Sequence, residues 1–274
     1  MIMRGFRAGP PAWDRARLTF AAVLMSGVST APALAAGTPA GTNIENTATA
    51  TYDQPGGGEA SITSNTVSLK VDELLDVSVA SADPGDVVTS PGATQQVLRF
   101  TLTNAGNGEE AFVLSAEQAI GGDDFDPSAA AIVLDSNGNG AYDAGIDTAY
   151  VGGSNDPVLQ PDESLAVFIL SSIPGGVTDG QRARVQLDAA AKTGSGEPGL
   201  AFAGRGQGGG NAVVGATGAA GDASGRFLIS HASVAFVKSA TVADPFGGTT
   251  QVPGGTITYT LVATVGGSGG VANL

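Results

Sequence analysis

The residues whose types and spacing could do chemistry lie in one stretch, Asp135-Ser-Asn137-Gly-Asn139-Gly140-Ala141-Tyr-Asp143-Ala-Gly-Ile-Asp147. Oxygen-bearing side chains at loop positions 1, 3 and 5, glycine at 6 and aspartate at 9 match the opening of a calcium loop. Such short spacing wraps hard oxygen ligands around one cation, and Gly140 permits the sharp turn. Ile146 stands where the bidentate glutamate of position 12 would be. Asp147, one residue on, substitutes if the loop bulges. The expected ligands are Asp135, Asn137, Asn139, Ala141 (through its carbonyl), Asp143 and Asp147, and the expected cofactor is Ca2+. The same residues also read as an Asn-Gly hairpin turn between Leu134 and Tyr150, which needs no metal.

The remaining chemical patterns are weaker. Gly204-x-Gly206-x-x-Gly209 fits a dinucleotide fingerprint in letters, but it lies in a glycine tract without a strand–helix setting. Gly266-x-Ser268-x-Gly270 fits a nucleophile elbow, at a place better read as a turn. His231 is the only histidine. A Ser-His-Asp triad would have to use it, and it borders a segment with no defined pocket. Asp123, Asp124 and Asp126 form an acidic cluster that reads as a solvated loop. No catalytic constellation emerges, so a non-enzymatic protein is expected.

The elements that position these residues read as strands. In Pro91–Asn107, Leu98, Phe100 and Leu102 fall on one face and Arg99, Thr101 and Thr103 on the other. The pattern returns near the C-terminus, where Pro253-Gly254-Gly255-Thr256 precedes Ile257, Tyr259 and Leu261 alternating with Thr258 and Thr260. Each copy follows a Val-rich segment ending in Asp-Pro, at Val77 to Pro84 and at Val234 to Pro245. This is the signature of an all-β chain of tandem sandwiches, the second incomplete. Residues 36–71 read as an N-terminal hairpin packing on the next domain. Residues 72–193 hold about seven strand candidates at sandwich spacing. Residues 194–226, rich in glycine, read as a flexible linker or long loop. Residues 227–274 read as the start of a second sandwich. Within 72–193, Leu165–Leu170 is apolar on both faces and reads as a central strand.

Composition narrows the function. The chain has 42 glycines, 14 prolines and only 5% aromatic residues, which favours strands and turns over helices. The formal charge of −14 argues against nucleic acid and against an anionic membrane surface. With no cysteine there is no disulfide, thiol nucleophile or cysteine–zinc site. Residues 1–35 read as a secretory signal: Arg4, Arg7, Arg15 and Arg17 precede an apolar run from Leu18 too short to span a bilayer. Ala33-Leu34-Ala35 fits the cleavage rule. Cleavage removes four of the 12 basic residues and one of the 26 acidic ones, leaving 8 against 25, a charge of −17.

The segments NTATATY, TSNTVSLKVDELLDVSV, PGATQQVLRFTLTNAGNGEEAF and FVKSATVADPFGG…VPGGTITYTLVATV resemble a repeat family of bacterial surface and exported proteins, a domain of unknown function. The resemblance covers nearly all of the chain after residue 35. It implies Ig-like β-sandwiches in a cell-surface, outer-membrane-associated or extracellular protein with a structural or adhesive role, and it marks no catalytic residues. The expected partners are cell-surface polysaccharide or other surface proteins, with no nucleic acid and no insertion of the mature chain into a membrane. The alternative is a calcium-dependent carbohydrate- or ligand-binding module of a larger adhesin or secreted enzyme.

Overall fold

The computed structural model describes residues 19–21, 37–54 and 56–268. The strands in chain order are β1 (Thr19–Ala21), β2 (Asn43–Asn46), β3 (Thr49–Asp53), β4 (Glu59–Thr63), β5 (Val67–Lys70), β6 (Glu73–Leu75) and β7 (Val77–Ser81). There follow β8 (Val87–Thr89), β9 (Gln96–Asn104), β10 (Glu110–Glu117), β11 (Ser128–Leu134), β12 (Thr148–Ala149), β13 (Val158–Leu159) and β14 (Ser164–Ser172). The chain continues through β15 (Arg182–Ala191), β16 (Ala201–Phe202), β17 (Ala212–Val214), β18 (Ala220–Ile229), β19 (Ser233–Ala243) and β20 (Thr256–Gly266). Among the described residues the only helical turn is a 3-10 turn at Gln207–Gly209. The all-β expectation therefore holds.

Strand β9 shows why the residues adopt this form. Ser90-Pro91-Gly92-Ala93 closes on an amide bond from Ala93 to the Ser90 carbonyl, 3.2 Å. Proline presets the first central position, and Gly92 takes φ +75° at the second, where a side chain would strain the turn. The alternation then buries Leu98, Phe100 and Leu102 completely. Strand β9 sits second from the edge of a five-stranded sheet ordered β12-β11-β14-β9-β7. The facing sheet is ordered β13-β10-β15-β18-β8, antiparallel except where β18 meets β8. Phe112 and Leu114 of β10, Val185 and Leu187 of β15, and Phe227 and Ile229 of β18 complete the core between the sheets. Each buried phenylalanine contributes on the order of 3 kcal/mol of hydrophobic stabilisation. Gly225 of β18 makes room for this packing, since a Cβ there would lie 3.1 Å from Leu98 and 3.3 Å from the tip of Phe100.

Strand β14 is buried on both faces, as its unbroken apolar run requires. Val167 and Ile169 enter the core, while Phe168 and Leu170 turn to the outer face with Val133. Tyr142, from the loop after β11, covers that outer cluster, its ring edge-on to Phe168 at 6.0 Å.

The segment 194–226, expected to be a linker or loop, is instead tied into the sandwich. Strand β17 pairs with β16 and, in parallel, with β6, and β18 pairs with β15 along nine residues from Ala220↔Ala190 to Leu228↔Arg182. Fixing does not need large apolar side chains. Backbone ladders hold it, and glycine permits close approach: a Cβ on Gly208 would lie 3.1 Å from the Cα of Gly41. The boundary expected at residue 227 moves for the same reason, because Phe227 and Ile229 are core residues of the sandwich before it.

Beyond the sandwich the chain forms two ribbons. The N-terminal ribbon pairs β2 with β5 and β3 with β4. It projects from its root rather than lying on a sheet, so the packing expected for residues 36–71 is confined to that root. The C-terminal ribbon pairs β19 with β20 over 11 residues each. The signal expected in residues 1–35 lies outside the described residues except for β1, which pairs with Thr49–Thr51 of β3. No helix among the described residues is long and apolar enough to cross a membrane.

Candidate functional site

The loop Asp135–Asp147 connects β11 to β12, and Asp135, at the end of β11, is buried. Its carboxylate accepts the Gly138 amide at 2.7 Å and the Gly140 amide at 2.8 Å. Asn137 Oδ1 accepts the Asn139 amide and Asn139 Oδ1 the Ala141 amide, at 3.1 and 2.8 Å, two successive Asx turns. Both asparagine Nδ2 groups donate to Asp143 Oδ2, at 2.9 and 2.7 Å. These bonds, that from Asn137 foremost, hold the Asp143 carboxyl below its ordinary pKa. Asp147 closes the circle, accepting from the amides of Ser136 and Asp143 at 3.1 and 2.7 Å.

The structure thus gathers Asp135, Asn137, Asn139, Asp143 and Asp147 in one loop, with the Ala141 amide on Asn139. The loop closes through its own hydrogen bonds and carries Tyr142 to its seat on Phe168. Among the described residues, no group of three or more histidine, aspartate or glutamate side chains stands together as a metal centre. A cation here would have to draw on asparagine and carbonyl oxygens as well.

The other sequence candidates resolve into structural roles. Asp123 and Asp124 accept the amides of Arg184 and Arg182, at 2.7 and 2.8 Å, where β15 has run past the end of β10. They stand in for the missing strand carbonyls. Ser268 and His231 do meet at one carboxylate, Asp179. The Ser268 hydroxyl donates to it at 2.6 Å, the Ser268 amide at 2.9 Å and the His231 backbone amide at 3.0 Å. A serine hydroxyl bound to a carboxylate has no imidazole taking its proton, so this is a clamp at the root of the C-terminal ribbon. The bond from Ser268, first among these contacts, keeps the Asp179 carboxyl below its ordinary pKa. The glycine tract does not open a helix onto a phosphate: the Gln207 amide donates to Glu73 at 2.7 Å, and a Cβ on Gly206 would lie 2.2 Å from the Asn211 carbonyl.

One cluster was missed in the sequence. Asp156 accepts from the Tyr150 hydroxyl and the Gly153 amide, each at 2.8 Å, and from Lys192 at 2.7 Å. Lys192, foremost, and the other donors pull its pKa from its ordinary 3.8 to about 2. The Tyr150 oxygen accepts the Leu114 amide at 3.0 Å, and burial pushes the phenol upward. The cluster joins β10, the end of β15 and the loop after β12. Tyr150, Asp156 and Lys192 are far apart in sequence and carry no spacing signal. Two asparagines lie at the opposite end from the ribbon clamp. Asn104 donates to the carbonyls of Gly108 and Leu159, and Asn107 accepts the Leu74 amide and donates to the carbonyls of Thr38 and Asp72.

Beside the calcium-type loop, Tyr142 and Ala141 face Asp83, Asp86 and Arg99 across an open groove of about 490 Å3. Its charges are already paired: Asp83 with Arg99 at 2.8 Å, and Asp86 with Arg182 and Arg226 at 2.9 and 2.8 Å.

No family model matches the chain, and no curated protein matches it. Among solved structures it is similar to AvmM, described as catalysing macrocyclization in alchivemycin A biosynthesis. The identity is 14%, over 56% of this chain and 88% of that one, with a TM-score of 0.29, a likeness that carries no argument.

Proposed function

We propose that this chain is an exported, non-catalytic surface protein that serves as a structural spacer or adhesive module. One observation carries the reading: the ribbons leave the sandwich from opposite ends. The N-terminal ribbon is rooted at the Asn104 end, where Ala40 donates to the Asn107 carbonyl and Lys70 to that of Gly208. The C-terminal ribbon is rooted at the Ile229 end, on Asp179 and through the Ser230 amide on the Thr89 carbonyl. A unit that takes the chain in at one end and releases it at the other extends a molecule lengthwise, as a stalk requires. The strongly acidic balance suits a solvated outer surface.

A second reading, a calcium-dependent carbohydrate- or ligand-binding module, draws on the groove beside Tyr142. Tyr142 is half-buried and edge-on to Phe168, which leaves little flat ring for a sugar to stack on. The spacer reading is preferred.

The test is N-terminal sequencing of the protein recovered from the surface and medium of expressing cells. A start near Ala36 is expected. A cytosolic chain still beginning at Met1 overturns the reading.

A further inference from the structure

Each ribbon has one apolar face that nothing in the chain covers. In an antiparallel pair, residues directly opposite point to the same side. In the C-terminal ribbon one side carries Phe236, Ala240, Val242, Ile257, Tyr259 and Leu261, paired across the two strands, and the other carries serines and threonines with few apolar residues. Phe236 is 66% exposed and Leu261 55%. In the N-terminal ribbon Ile44 lies opposite Leu69, Ala50 opposite Ile62, and Tyr52 opposite Ala60. Ile62 and Leu69 are 63% and 65% exposed. Its other side bears Thr47, Thr49, Thr51 and their hydroxyl partners, with Thr47 bonded to Thr66.

The chain itself shows what such a face is built to meet. Ile257, Tyr259 and Leu261 repeat the pattern of Leu98, Phe100 and Leu102, which are fully buried under a facing β-sheet. The N-terminal ribbon is a small β-sheet with an aliphatic face. The two ribbons stand at opposite ends of one sandwich, so the N-terminal ribbon available to a C-terminal one is that of another copy.

We propose that copies of this chain associate head to tail, the apolar face of the C-terminal ribbon packing on the apolar face of the next copy's N-terminal ribbon. Two strands of 11 residues give a face about 10 Å by 37 Å. Covering two such faces buries on the order of 1,000 Å2, the lower limit for a specific and reversible interface. Charge does not oppose it. The C-terminal ribbon carries Lys238 and Asp244 and is neutral; the N-terminal ribbon carries Glu45, Asp53, Glu59 and Lys70, a net −2. Lys238 lies on the apolar face, over the Tyr259 ring at 4.4 Å, and brings a cation to the acidic partner. Because the two patches differ, the contact is heterologous and generates open rows rather than closed dimers. A row of this kind lengthens the proposed spacer without a longer chain, yet the spacer reading does not depend on it.

The test uses the mature chain in sedimentation equilibrium across a concentration series, with two variants. Phe236→Asp with Leu261→Asp blocks the C-terminal face; Ile62→Asp with Leu69→Asp blocks the N-terminal one. All four residues are exposed, so both variants keep the melting temperature of the parent sandwich. The parent is expected to grow in mean mass with concentration beyond two protomers. Each variant alone stays at one protomer, and an equimolar mixture of the two stops at two. A parent that remains at one protomer overturns the proposal. So does a variant that still self-associates, which would mean like faces pairing, and so does a mixture that fails to form the dimer.

Discussion

At Gly225 a single hydrogen in place of a methyl group lets two sheets close. Leu98 and Phe100 occupy the volume a side chain would need. Gly225→Val is expected to cost about 1–3 kcal/mol through overpacking. Gly221, on the same strand, has ordinary contacts at 3.5 Å and beyond. Gly221→Ala should be neutral or stabilise by up to ~1 kcal/mol, through the unfolded chain. Urea denaturation of both variants distinguishes packing from mere glycine content. Asp156 makes a second prediction at this scale. Its folded pKa of about 2 lies below its ordinary 3.8, so its contribution is fully present above about pH 4 and is lost as the pH falls toward 2. Melting temperature against pH over that window should fall more steeply for the parent than for Asp156→Asn. Equal slopes would mean that Lys192 and Tyr150 do not hold the carboxylate.

At the level of elements, the loop between β11 and β12 joins two roles that one sequence motif left open. Its hydrogen bonds close it without a metal and set Tyr142 on Phe168. Its oxygen atoms still have the spacing of a calcium loop lacking its last ligand. Calcium is therefore expected to bind weakly, with a dissociation constant on the order of 10⁻⁴–10⁻³ M. At a few multiples of that concentration the folded state gains about 1 kcal/mol. The measurement is the difference in melting temperature between millimolar calcium and chelator, for the parent and for Asp135→Ala. Asp135→Ala loses two amide acceptors and melts lower in either buffer, so only the calcium-dependent difference counts. A positive difference in the parent that vanishes in the variant supports the site; no difference in either reduces the loop to a hairpin turn.

The sandwich as a whole sets where the chain can be cut. Strand β18 lies inside a sheet, between β15 and β8. A fragment 42–193 lacks it, together with Phe227 and Ile229, and is expected not to fold. A fragment 36–232 retains both sheets and should melt cooperatively, while 227–274, a lone two-stranded ribbon, should not. Amide exchange on the three fragments decides the matter, and strong protection in 42–193 would contradict the strand order. This reverses what the sequence suggests, since the glycine tract resembles a boundary.

The sequence by itself determined the strand content, because side-chain alternation is local: Leu98, Phe100 and Leu102 need only their own neighbours to define a face. It determined turns such as Pro91-Gly92, and it placed Leu165–Leu170 in a strand buried on both sides. It also grouped Asp135 to Asp147, since ligands within one loop are near in sequence. Only the tertiary structure decided which strands pair. Backbone hydrogen bonds are alike for any partner, so the choice rests on packing between distant residues, such as Gly225 against Phe100. It alone showed the glycine tract to be ordered, by ladders to β6 and by close approach at Gly41, and brought Tyr150, Asp156 and Lys192 together. The repeat of β9 in β20 was legible in letters. That one copy is a buried core strand and the other an uncovered face depends on what stands opposite each, which no local pattern records.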